Sequence, residues 1–143
     1  MVVGYDIMRN TMEHLILFLI GGSVYYALEM LWRGYSHWSM FIVGGVAFIL
    51  VGLINEYFTY DIPLWKQCWI SMIIITILEF VSGCILNLWL GLDIWNYTVL
   101  DILGQVSLPF MAIWFGLSVV GIVLDDLLRW KLFNEEKPQY TII

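Results

Sequence analysis

ISMIIITILEFVSGCILNLWLGLDIWNYTVLD, residues 70–101, decides how this chain is read. Its first twenty-one residues are apolar enough and long enough to cross a hydrocarbon core of about 30 Å. One carboxylate, Glu79, sits near the middle of that run. A charge at such a position costs a few kcal/mol unless it is paired, protonated or turned toward a polar cavity. The run then breaks into a turn rich in Trp and Asn, Trp95-Asn96-Tyr97. The chain must fold so as to accommodate Glu79.

The composition makes lipid the solvent for much of the surface. Of the 143 residues 62% are hydrophobic and 13% charged, and the mean hydropathy is +0.87. A water-soluble domain carries roughly a quarter charged residues. The net charge of −6 and only six Lys and Arg exclude nucleic acid as a partner, because phosphate binding needs clustered bases. Cys68 and Cys84 lie sixteen residues apart on one expected helix, about 24 Å at 1.5 Å per residue. That is too far for a disulfide, and neither has a metal-ligating neighbour. His14 and His37 fall at opposite boundaries. We therefore expect no metal and no cofactor. There is no phosphate loop, HExxH or GxSxG, so the chain is not expected to be an enzyme.

Outward from residues 70–101, the hydropathy divides the chain into four spans. They cover about 12–32, 40–60, 64–90 and 106–124, with a short arm at 1–11 and a charged tail at 125–143. Asp61-Ile62-Pro63 marks a turn, since proline disfavours helix at and before its position. The first apolar run reads as a span rather than a cleavable leader. The expected fold is all-α, a single integral membrane domain over 1–143. It is a polytopic four-transmembrane-helix bundle with an interfacial or re-entrant segment at 91–105. Arg9, Lys66, Arg129, Lys131 and Lys137 share one side and Arg33 stands alone on the other. By the positive-inside bias both termini are expected in the cytoplasm of a cell membrane protein. Trp residues cluster at both expected boundaries, and Trp114 alone falls mid-membrane. Asp125-Asp126 and Arg129 read as the point where the fourth span leaves the membrane.

The candidate site is built on Glu79. Gly83 and Asn87 follow it at i+4 and i+8, on one helical face. Glu29 and Arg33 form an i,i+4 pair in the favoured order. Glu29, Asn87, Asp93, Asn96, Asp101 and Gln105, with Trp95 and Tyr97, are expected to line an acidic entrance at the outer face. Two readings stand side by side. In one, Glu79 is a binding or gating group for a small solute, cation or proton. In the other, it is polar glue inside the bundle.

The residues Thr76-Ile77-Leu78-Glu79-Phe80-Val81-Ser82-Gly83, then Trp95-Asn96-Tyr97, then Gly104-Gln105-Val106-Ser107-Leu108-Pro109-Phe110 and Trp114-Phe115-Gly116 carry a likeness. This pattern, covering about 50 residues, resembles a bacterial ABC-transporter permease family, the CmpB-like or type IV group. The stretch from Tyr25 to Arg33 is similar to that family's early segment, an apolar run closed by Glu. Asn87, Asn96 and Gln105 stand where the family has Glu, Asp and Arg. The resemblance implies a permease-like or substrate-binding membrane subunit. Its partners would be membrane lipid, a small solute or ion, further copies of itself or other membrane subunits, and a separate ATPase. The alternative is a non-transporting scaffold, assembly factor or sensor that binds lipid or partner helices.

Overall fold

The structure, a computed structural model, describes residues 2–58 and 61–142. Four helices run α1 Val2–Arg33, α2 Trp38–Phe58, α3 Leu64–Gly83 and α4 Leu108–Phe133. A π-helical turn, Cys84–Trp89, continues α3. Each of the four is long and apolar enough to cross a membrane, and most of the large apolar side chains along them face outward. The connections place Arg33, Trp38, Trp89 and Leu108 at one end of the bundle, here the loop end. The start of α1, residues 61–63 and the described tail, 134–142, lie at the other, the tail end.

Local sequence explains where the helices stop. Gly34 takes a left-handed conformation, φ +80°, and its N–H reaches the Met30 carbonyl at 2.9 Å, the usual glycine exit from a helix. Ser107 caps α4 by accepting from the Phe110 N–H, and Pro109 sits in the first turn, where no N–H is needed. Left-handed Asn134 closes α4 at its other end.

Glycine brings α1 and α2 together. Gly21 and Gly22 abut Phe48 and Phe41, while Gly44 and Gly45 abut Tyr25 and Phe18. A Cβ on Gly22 would lie 2.5 Å from the Phe41 carbonyl oxygen. That oxygen belongs to the backbone and cannot swing aside. Gly22→Ala is therefore expected to destabilise the bundle by about 1–3 kcal/mol through overpacking, measured as a loss of unfolding free energy in detergent. At the tail end Val51, Ile54, Cys68 and Ile122 form a buried cluster joining α2, α3 and α4.

Three expectations change. The N-terminal arm is helical from Val2 onward. The fourth span begins at Leu108 and extends nine residues past the expected 124, to Phe133. Its acids and base do not mark an exit from the bundle: Asp125, Asp126 and Arg129 are among the most buried polar residues. Partners inside the bundle hold them there. Arg129 Nε donates to Asp125 Oδ2 at 2.9 Å. Asp126 Oδ2 accepts from Asn55 at 2.5 Å and from the Tyr140 hydroxyl at 2.6 Å. Gly52 leaves the notch that Asp125 fills. The tail folds back over this end, where the Leu64 N–H donates to the Thr141 carbonyl at 2.7 Å. Burial and the neighbouring Glu56 carboxylate push Glu135 up to about 7.

The second expected span ends in α2 at Phe58, and its last two residues, 59 and 60, lie outside the described residues. Residues 90–107 contain no helix. They form an irregular loop with a two-residue antiparallel ladder that pairs Asp101 with Ser107 and Ile102 with Val106. The return strand, Val106–Ser107, is buried and contacts both α3 and α4.

Candidate functional site

The loop end of the bundle encloses a cavity of about 720 Å³. α1 contributes Tyr25, Glu29 and Arg33, α3 contributes Glu79, the loop contributes Asp93 to Tyr97, and α4 contributes Phe110 and Trp114. A narrower cavity of about 140 Å³ continues into the bundle from the same wall, and Tyr25, Met40, Glu79, Trp95 and Trp114 line both. Its far wall includes Val51 and Gly121. Val51 adjoins Gly52, against which Asp125 packs, and Gly121 lies one helical turn before Asp125.

Glu79 stands where the two cavities meet and is 9% exposed. Two neutral donors converge on its Oε2, the Tyr97 hydroxyl at 3.3 Å and the Trp114 indole N–H at 3.1 Å. Burial, with the Glu79 carboxylate next in weight, pushes the Tyr97 phenol well above its ordinary range, so it remains a donor. Tyr97 also stacks at 4.7 Å on Phe110, and Phe110 faces Trp114 at 6.5 Å. The aromatic wall thus orients the two donors. Tyr25 bridges the groups: its hydroxyl donates to Glu29 Oε1 at 3.1 Å, and its ring lies 6.1 Å from that of Trp114.

The expected Glu29–Arg33 pair is present at 3.2 Å. Arg33 does more than neutralise Glu29. Its NH2 donates to the Ile94 carbonyl at 2.6 Å, which ties the loop to α1, and its guanidinium lies over the Tyr35 ring at 4.6 Å.

The eight expected site residues divide into two groups. Glu29, Glu79, Trp95, Asn96 and Tyr97 line the cavity. Gly83, Asn87 and Gln105 build the wall behind it. Asn87 Nδ2 donates to Gln105 Oε1 at 2.8 Å, and Asn87 Oδ1 accepts from the Ile94 N–H at 2.7 Å. Gln105 Nε2 donates to the Leu103 carbonyl at 2.8 Å, and the Trp95 indole donates to the Gln105 carbonyl at 3.0 Å. Gly83 gives Gln105 room, since a Cβ there would meet its amide oxygen at 2.5 Å. The π-helical turn changes the helical phase between Gly83 and Asn87, so Asn87 serves the loop instead of the cavity. Asp101, expected in the same vestibule, accepts from the Gly104 N–H at 2.7 Å and shapes the hairpin turn.

Trp114, Arg33, Tyr25 and Phe110 belong to the site as much as the expected residues do, and Asp93, expected in the entrance, lines the cavity. Trp114 carried a sequence signal, being the one tryptophan away from both boundary belts. Among the described residues no three His, Cys, Asp or Glu side chains gather as a metal site.

No protein-family model, curated protein sequence or solved structure matches the chain.

Proposed function

We propose that the protein is a small integral-membrane solute-binding component of a transport process, with Glu79 at the centre of its site. One observation carries this reading. A buried carboxylate lies on the wall of a cavity of about 720 Å³, within the size range of small-molecule sites. Intramembrane acids that face a cavity are functional more often than not. The narrower cavity below Glu79 extends the same space into the bundle. Four helices enclose little more than this one site. Further copies, other membrane subunits or a separate ATPase would complete a path, in keeping with the resemblance to the permease group. In this reading the chain binds and passes its solute without chemistry of its own.

A scaffold reading has one observation in its favour. Through Tyr97 and Trp114, Glu79 joins α3 to the loop and to α4, as a purely structural acid would. Glu79→Gln separates the two readings. The variant is expected to fold and to lose binding. In a thermal-shift screen of purified protein against ions and small metabolites, a binder at a hundredfold excess over Kd stabilises the wild type by about 2.7 kcal/mol. The same solute is expected to leave Glu79→Gln unshifted. A screen with no binder, together with a more stable Glu79→Gln, sinks the transport reading and leaves Glu79 as structural.

A further inference from the structure

The charges and rings around the cavity say more about its occupant. We propose that the site takes a lipophilic organic cation, a positive charge carried among aromatic or bulky alkyl groups. This inference rests on reading the cavity as a solute site and names the chemical class of that solute.

Charge gives the sign. Three carboxylates, Glu29, Glu79 and Asp93, line the cavity against a single guanidinium, Arg33. Arg33 is already engaged by Glu29, by the Ile94 carbonyl and by the Tyr35 ring. Glu79 has no cationic partner among the described residues. Its two donors are neutral and both reach Oε2, and no described hydrogen bond reaches Oε1. An anion entering here would meet Glu79 and Asp93 with no free base to hold it. A cation would supply the counter-charge that the fold omits.

The lining gives the class. Seven of the lining side chains are aromatic, from α1, α4 and the two connections between helices at this end, and the remainder include Leu28, Met40, Ile113 and Leu117. Ring faces attract organic cations, more strongly where water is excluded. A bare metal ion needs six or more oxygens in Ca²⁺-like or Mg²⁺-like geometry, and no such grouping of acids exists among the described residues. The volume suits a drug-sized molecule rather than a single ion.

Tetraphenylarsonium and tetraphenylborate test the assignment, because they share size and shape and differ in the sign of charge. Purified protein in a neutral detergent is melted with each. Tetraphenylarsonium is expected to raise the melting temperature in a saturable manner and tetraphenylborate is not. Glu79→Gln is expected to weaken the arsonium affinity at least tenfold. Asp6→Asn, at the far end of α1, is expected to leave it unchanged. Leu117→Trp, which narrows the cavity and keeps the Glu79 carboxylate, is expected to abolish the shift, and it keeps the test open should Glu79→Gln not fold. Equal or stronger stabilisation by the borate, or by a neutral solute when arsonium gives none, overturns the cation assignment and leaves the solute site standing. Full arsonium binding by a folded Glu79→Gln removes Glu79 from the site. No shift with either ion or with any solute of the wider screen overturns the solute reading itself.

Discussion

Arg129→Leu is expected to cost about 3–5 kcal/mol of stability, the range for removing one partner of a buried ion pair. The Arg129 side chain is 4% exposed and that of Asp125 is 0% exposed, with Nε to Oδ2 at 2.9 Å. Asp125 Oδ1 has no hydrogen-bond partner among the described residues, so Arg129 is the only described group that compensates this carboxylate. Glu56 and Glu135 lie 3.6 and 3.8 Å from Arg129 NH1 but are 40% and 33% exposed. Water screens Glu56, while burial and the Glu56 carboxylate push Glu135 toward its neutral form, so both contribute little. Asp126 depends less on Arg129, because Asn55 and Tyr140 hold it. Leucine in place of Arg129 thus leaves Asp125 buried and uncompensated. The double variant Asp125→Asn with Arg129→Leu removes both charges and is expected to recover more than half of the loss, since a neutral pair can match a buried ion pair. Reversible unfolding in detergent or lipid, read as a double-mutant cycle, checks both values. An Arg129→Leu protein as stable as wild type would show that the cluster is solvated in its real environment.

Gly52→Val is expected to destabilise by about 3 kcal/mol, at the upper end of overpacking effects. A Cβ on Gly52 would overlap the Asp125 carboxylate. That group cannot withdraw without leaving Arg129, so steric and electrostatic costs combine. A comparison at Gly116 isolates the cause. It also lies inside a helix, but a Cβ there meets nothing within 4 Å. Gly116→Ala is expected to be neutral or to stabilise by up to about 1 kcal/mol, the helix-propensity difference between the two residues. Similar losses at both positions would mean that the close approach of α2 and α4 at Asp125 is not what confines Gly52.

These two predictions concern the part of the fold that was hardest to see in the chain. The spans were legible because hydropathy and length are local properties, and Glu79 was legible because a single acid in an apolar run has few explanations. The fate of Asp125, Asp126 and Arg129 was not. A pair of acids followed by a base at the end of an apolar helix has the pattern of a helix leaving the membrane. What buries these residues comes from elsewhere in the chain: the notch at Gly52, the amide of Asn55 and the hydroxyl of Tyr140. No periodicity links those positions. The same limit applies at the loop end. The i, i+4, i+8 spacing grouped Asn87 with Glu79, yet a π-helical turn and the Gln105 amide draw Asn87 into holding the loop. Trp114 was visible only as an outlier from the tryptophan belts, and its role emerged once the fold placed its indole N–H 3.1 Å from Glu79.

As proposed, Glu79 is a carboxylate that a solute can reach and occupy. Reaction with a hydrophobic carbodiimide, followed by peptide mass spectrometry, tests it directly. Glu79 is expected to be modified in the detergent-solubilised protein, and tetraphenylarsonium, or whichever solute raises the melting temperature, is expected to slow the modification severalfold. A Glu79 that stays unmodified while Asp93 on the same cavity wall reacts, or one modified at the same rate with every solute present, would contradict it.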